Sequence, residues 1–334
     1  MEQKVLRVGI LVIACALVLQ LFGAGMLDSV QKFSLPQELA SWIIFFQTGR
    51  LVRPDHIIFT PQESTQPLPE TIPEGTEPSA PTQITIPVFS PEDVSDMKIN
   101  SGFSFTADLS ALITKPLDWD LTGEEPTVLI VHTHGTESFA PTGDYQQTTP
   151  YHTLDKDHNM VSIGGYVADL LKAGGISVLQ DTTLHDDPHY NDAYNNSRES
   201  IQKYLKEYPS IRLVLDLHRD SFEDEDGNQL VHTVFSQGTT LAPLMLVVGT
   251  DYGGLTHPKW QENLSLALKL QTQMEAICPG VCRNINLRSQ RFNQDLSPGA
   301  LLVEVGASGN SRQEALRAAE VLAKGILTLA HGSG

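Results

Sequence analysis

Hydrophobic positions fall along this chain in distinct regimes. Residues 8–27 are almost wholly apolar, with Gln20 the only strongly polar side chain. From about residue 126 onward, short unbroken apolar runs alternate with stretches of helical spacing. The runs at 127–131, 176–179, 211–217, 230–235, 244–248 and 300–305 predict strands, and the longest, interrupted only by Arg212 and Asp216, predicts a strand buried on both faces. Between them, Met160, Ile163, Val167, Leu170 and Leu171 recur at helical spacing, and Gly174-Gly175 ends that helix. Tyr190, Tyr194, Ile201, Tyr204 and Leu205 mark a second helix, closed by Pro209. Trp260, Leu264, Ala267, Met274 and Ile277 trace a third, and Leu316, Ala319, Leu322, Ile326 and Leu329 a last one. Strands alternating with helices predict an α/β fold: a mixed, mostly parallel sheet covered by helices on both faces.

The N-terminal apolar run is about as long as a bilayer core requires, roughly 20 residues. Lys4 and Arg7 precede it and Asp28 follows it. The positive-inside bias then places the N-terminus in the cytoplasm and the remainder outside, in a single-pass arrangement. The rival is a cleaved signal peptide, which has a shorter apolar core and a small-residue cleavage site; Gly23-Ala24-Gly25 is a weak version of one. A second apolar patch holds Trp42, Ile43, Ile44, Phe45 and Phe46 but is interrupted by Arg50, Arg53 and Asp55. It is too broken to span. It either lies at the outer membrane surface or forms a short packing helix. Between Pro61 and Pro91 stand eight prolines, and no Lys or Arg occurs from there until Lys98. Such a stretch cannot bury enough apolar surface to fold, and proline and like charge extend it. The expected organisation is therefore an anchor over residues 1–28, a juxtamembrane segment over 29–59, a disordered proline-rich tether over 60–100 and a hydrolase domain over 101–334.

Composition narrows the function. A net charge of −18 over 334 residues argues against nucleic acid as a partner, because phosphates select basic proteins. The three cysteines do not make a cysteine-based zinc site, which usually needs two close pairs. Cys278 and Cys282 frame a short Cys-Pro-Gly-Val-Cys segment: a disulfide if the domain is exported, or two buried free thiols.

The candidate chemistry sits at strand ends. The run Val128-Leu-Ile-Val131 stops at His132, and His134 and Glu137 follow at once. His132 and His134 are two apart, so an extended strand would point both to one face. Gly135 lets the chain turn and bring Glu137 back; that carboxylate either binds metal or orients a histidine. The 211–217 strand carries Asp216 and ends at His218, with Arg219 and Asp220 beside it. The last strand holds one isolated acid, Glu304, among Leu302, Val303 and Val305. Parallel strands bring such ends into one crevice. Two imidazoles and a carboxylate are a three-ligand zinc set with a position left for water. Glu304 is then the candidate general base, Arg219 the candidate oxyanion donor, and Asp216 and Asp220 the charged support. Asn293 and Gln294, in the loop before the last strand, are candidates for contact with substrate or for a turn role. Eight of the eleven histidines lie between His132 and His232, but His152, His158, His185, His189 and His232 read as surface or satisfied side chains.

Four segments, His132-Thr-His-Gly-Thr-Glu137, Asp216-Leu-His-Arg-Asp220, Arg291-Phe-Asn-Gln-Asp295 and Leu302-Val-Glu-Val-Gly306, together resemble the stage II sporulation protein P family. The resemblance runs over about residues 128–329, and the anchor and proline-rich tether agree with the family layout. That family is similar in turn to zinc-dependent N-acetylmuramoyl-L-alanine amidases of an α/β fold. The resemblance implies zinc ligands at His134 and His218 and a catalytic Glu304. The glutamate ligand of the wider amidase group falls near His158-Asn159, where this chain has no glutamate; Glu137 is the candidate in its place and His132 the reserve. It further implies cleavage of the muramoyl amide and of peptide cross-links in peptidoglycan during forespore engulfment. The implied partners are a lytic transglycosylase and a membrane scaffold protein of the same sporulation stage. The rival readings are a metallopeptidase or deacylase of another substrate, and a non-catalytic wall-binding scaffold.

Overall fold

The computed structural model describes residues 87–117, 120–141, 147–225 and 228–331, all within the compact unit Pro78–Gly334. Its centre is a seven-stranded sheet built from β1 (Ile99–Ser101), β2 (Val128–Val131), β3 (Val178–Gln180), β4 (Leu213–Asp220), β7 (Leu244–Gly249), β8 (Ile285–Arg288) and β9 (Ala300–Ala307), in the order β1-β8-β7-β9-β4-β2-β3. A separate two-stranded hairpin, β5 (Val234–Ser236) with β6 (Thr239–Leu241), follows β4. All neighbours in the large sheet pair in parallel except β7 with β9. The sheet is thus two parallel halves joined at one antiparallel seam. One consequence fixes the site: β2, β4 and β9 share a direction, so their C-terminal ends emerge side by side, and β7 enters beside them.

Helices α1 (Leu109–Thr114), α2 (Met160–Ala173), α3 (Ala193–Glu207), α4 (Trp260–Ile277) and α5 (Arg312–His331) cover this sheet. Strand alternation divides the core in two. Val128, Ile130, Leu213, Leu215, Leu217, Val303 and Val305 pack with Met160 and Ile163 of α2, Leu264 of α4 and Ala319 and Leu322 of α5. Leu129, Val131, Val214 and Ala300 face the other way, against Ile201 of α3. On that same side Met245, Val247 and Leu302 form a small satellite packed by Phe292. The mixed, mostly parallel α/β sheet expected from the sequence is therefore present, with α3 the helix on the second face.

Two expectations about boundaries need correction. Residues 87–101 do not belong to an unstructured tether: Pro91–Val94 is a 3₁₀ turn with Val94 buried, and Ile99 to Ser101 pair with Ile285 to Leu287. Residues 230–235 do not form one strand, because Leu230 and Val231 lie exposed in a loop that precedes the hairpin. Among the described residues no helix is long and apolar enough to cross a membrane; the run at 8–27 and the patch at 39–59 lie outside them. Cys278 and Cys282 are free thiols at the end of α4, and the Glu275 carboxylate accepts from the Gly280 and Cys282 amides of their loop.

Candidate functional site at the ends of β2, β4 and β9

The α3 face of the sheet carries the polar residues. Asp216 and His218 continue the side of β4 begun by Val214, and Glu304 continues the side of β9 begun by Leu302. The ladder sets His218 directly opposite Glu304, and Glu304 opposite Met245 of β7. Immediately after this point the β4–β9 register breaks, between His218 and Asp220. Such an irregularity ends regular pairing at the strand ends.

His132 and His134 part company. His132 follows Ile130 onto the α2 face, where its Nδ1 lies 3.3 Å from the Leu217 carbonyl and its Nε2 lies 3.1 Å from Gln180 Nε2. Its ring rests on Gly164 of α2, where a Cβ would collide with it. It is fully buried, and burial pushes its pKa down to about 4, so it stays neutral. The one-face expectation fails because β2 ends at Val131 and residues 133–136 turn. That turn carries His134 to the α3 face and leaves the reserve ligand behind.

There His134 meets His218 edge-on, with ring centroids 5.3 Å apart. The Tyr190 ring lies against it, tilted by 33° with centroids 4.2 Å apart, and Tyr194 abuts it edge-on at 5.6 Å. Glu137 Oε2 lies 3.6 Å from His218 Nδ1, and Asp216 Oδ1 lies 3.0 Å from His218 Nε2. The second contact is close but out of line, and Nε2 has no hydrogen-bond partner. His134 Nδ1 and Glu304 Oε2 are likewise buried without partners. Three unpartnered polar atoms in one place are unusual for a folded interior.

The electrostatics follow from this crowding. Burial and the neighbouring His218 charge lower the pKa of His134. Burial would also lower His218, but the Asp216 carboxylate and then Glu137 outweigh it and hold the imidazole well above its ordinary value. Burial would raise Asp216 and Glu137; the His218 charge with the Thr133 hydrogen bonds for one, and His218 with Arg219 for the other, bring both to about 2. Glu304 is different. Burial, together with the Glu137 and Asp220 charges, drives its pKa up to about 8 against the pull of His218.

Other expected site residues turn out to be scaffold. The Arg219 Nε and Nη2 donate to the carbonyls of Ser138 and Tyr151 at 3.0 and 2.9 Å, and Nη1 lies 3.7 Å from Glu137 Oε1. The guanidinium thus pins the loop after β2, so the expected oxyanion donor is already engaged. Asp220 leaves the cluster for an ion pair with Arg283 at 2.6 Å. Asn293 is buried at φ 58°, donating to the Tyr194 carbonyl and the Ser197 hydroxyl. Gln294 bridges β7, accepting from the Gly249 amide and donating to the Val247 carbonyl, each at 2.9 Å. Both amides are buried and bonded to the scaffold. Both hold α3 and β7 in place, as does the Arg198–Asp295 pair, whose two nitrogen–oxygen contacts are 2.8 and 2.7 Å.

The residues not foreseen are Thr133, Tyr190 and Tyr194. Thr133 donates both its amide and its hydroxyl to Asp216, at 2.8 and 2.6 Å. The two tyrosines stand four apart, and that spacing reads simply as an apolar helix face. A cleft of about 650 Å³ opens beside them, walled by Glu137, Tyr151, Asp187, Tyr190, Arg219 and Glu223 among others.

Among the described residues, no three His, Cys, Asp or Glu side chains form a ready metal-binding group. The donor types nevertheless suit zinc: two buried imidazoles, each with an unpartnered nitrogen, and an adjacent carboxylate.

Comparison with known proteins gives two findings. A family model described as stage II sporulation protein P (SpoIIP) matches residues 62–327, which includes every residue of the cluster. Stage II sporulation protein P of Bacillus subtilis (strain 168) is 27% identical over 213 residues, covering 60% of this chain and 50% of the relative. The match therefore spans about half the length of that curated protein.

Proposed function

The chain belongs to the stage II sporulation protein P family, and on that premise we propose that its folded domain is a zinc-dependent hydrolase of peptidoglycan amide bonds. The bonds are the N-acetylmuramoyl-L-alanine linkage and peptide cross-links, cut during forespore engulfment. Residues 8–27 serve as a single-pass anchor that leaves the domain outside the cytoplasmic membrane. A lytic transglycosylase and a membrane scaffold protein of the same stage are its expected partners. The observation that carries the reading is the buried cluster of His134, Glu137, Asp216, His218 and Glu304, with three polar atoms lacking partners, at strand ends beside an open cleft.

His134 and His218, with Glu137, are the residues that would hold zinc. When bound, the ion polarises the amide carbonyl and makes the attacking water more acidic. Glu304 handles the proton. Its unpartnered Oε2 accepts one from the water as the oxygen bonds to the carbonyl carbon, and the same carboxyl then delivers it to the leaving nitrogen as the C–N bond breaks. A pKa of about 8 keeps this group protonated at neutrality, and a cation beside it lowers that value toward the range a general base needs. Asp216, itself held by Thr133, lies 3.0 Å from His218 Nε2 and supplies the buried negative charge that keeps the imidazole in the cluster.

The test is digestion of purified sacculi by the full chain, followed by mass analysis of products, with and without a chelator. Stem peptides with a new N-terminal L-alanine should appear and should vanish with chelator. Sacculi left intact by zinc-loaded protein would overturn the reading.

A further inference from the structure

Tyr190 sits at the entrance to the cluster on a 3₁₀ turn that runs directly into α3. One face of its ring is covered by His134 at 4.2 Å. The residue is nonetheless 54% exposed, so its free surface is the outer face, which lines the cleft. An aromatic ring braced by a buried histidine, with His152 edge-on at 6.4 Å and half its surface still exposed, is a preorganised platform. Around it stand groups suited to hydroxyls. Asp187, Glu223 and Gln229 line the same cleft, the last two joined by a 2.7 Å hydrogen bond.

We propose that Tyr190 is the glycan platform of this cleft, stacking on the C–H face of an N-acetylhexosamine ring while Asp187, Glu223 and Gln229 take its hydroxyls. The inference rests on the peptidoglycan reading and adds to it the sugar as a recognised part of the substrate. A pyranose has an apolar C–H face and a polar hydroxyl edge. An aromatic plane with carboxylates and an amide around its rim complements both. A peptide-binding cleft would instead offer a free strand edge or apolar side-chain pockets. A free strand edge is absent from the site: β2, β4 and β9 each have a paired strand on both sides.

Position supports the same assignment. A ring seated on Tyr190 lies one aromatic thickness from His134. In muramic acid the scissile amide hangs from the pyranose by a short lactyl ether, which is the reach needed from platform to cluster. Tyr190 acts in binding and takes no part in the proton transfers.

The experiment is calorimetric titration of the full chain with the peptide-free disaccharide of N-acetylglucosamine and N-acetylmuramic acid, which contains no stem amide to cut. A second titration uses sugar-free cross-linked stem peptide. Tyr190→Ala should weaken disaccharide binding about tenfold, Tyr190→Trp should keep it, and stem-peptide binding should not move. Glu223→Ala, in the segment after β4, should weaken the disaccharide several-fold and tests the site independently of α3. The proposal is overturned if the parent chain does not bind the disaccharide, if both alanine variants bind it as the parent does, or if the stem peptide shows the same dependence on Tyr190. Failure of the hydrolase reading would show instead as uncut sacculi and would leave these titrations unchanged.

Discussion

At the scale of single residues, the informative signal in this sequence is an acid where an apolar residue belongs. Glu304 and Asp216 each interrupt a hydrophobic strand, and both prove to be part of the cluster. They resolve their burial differently. Asp216 is ionised, accepts two hydrogen bonds from Thr133 and lies beside His218, whereas Glu304 has an unpartnered oxygen and a pKa of about 8. Asp216→Asn should therefore cost about 3–5 kcal/mol of stability by urea denaturation, because His218 loses its buried counter-charge. Glu304→Gln should do the opposite in metal-free protein. The folded state keeps the Glu304 proton up to about pH 8, while the unfolded chain releases it near the ordinary glutamate value of 4.5. Folding is therefore progressively disfavoured by this group as pH rises through that window, and the loss is complete above it. The melting temperature of Glu304→Gln should exceed the parent's by a margin that grows from pH 5 to pH 8. On zinc-loaded protein the same variant should lose about a hundred- to ten-thousand-fold in turnover of muropeptides. A margin independent of pH, or near-normal turnover, would contradict the role given to Glu304.

At the scale of elements, legibility depended on whether a segment's burial leaves a mark in its own pattern. β2, β4, β7 and β9 are central, buried on both faces, and read directly as apolar runs. β1 and β8 are short and carry Asn100 and Asn286, so their pairing is decided by partners far along the chain. The side on which His132 and His134 fall could not be read, because strand alternation holds only while the strand lasts. The loop before β9 leaves substrate contact and a turn role open for a related reason. Asn293 and Gln294 look like polar groups awaiting a substrate, yet their partners are backbone groups of α3 and β7 that no local pattern reveals. Gln294→Ala should thus lower stability by about 2–4 kcal/mol, since two buried backbone groups lose their partner. The KM of the folded fraction for muropeptides should remain unchanged. A raised KM without loss of melting temperature would restore Gln294 to substrate contact.

At the scale of the whole molecule, the domain begins before its chemistry suggests. A boundary at residue 101 looks natural in the sequence, where the proline-rich stretch gives way to periodic segments. The fold instead recruits residues 88–101 to finish its far edge. Val94 is buried, Phe89, Met97 and Ile99 pack against the main core, and the Lys269 ammonium lies 5.4 Å from the Phe89 ring centroid. β1 is also the edge strand that covers β8. A chain starting at residue 102 should therefore suffer twice. It loses the burial of these four side chains, on the order of 4 kcal/mol, a large share of the 5–15 kcal/mol typical of a domain. It also leaves the ladder edge of β8 unpaired, where another chain can add. A chain starting at residue 87 keeps both features, and neither truncation touches the cluster at the ends of β2, β4 and β9. The two truncated chains should then differ in melting temperature and in light scattering at matched concentration, the shorter one melting lower and aggregating. Whatever fraction of it remains monomeric should bind zinc in the same ratio as the longer one. Equal melting temperatures would mean that the N-terminal segment merely rests on the sheet and that the boundary at 101 is sound.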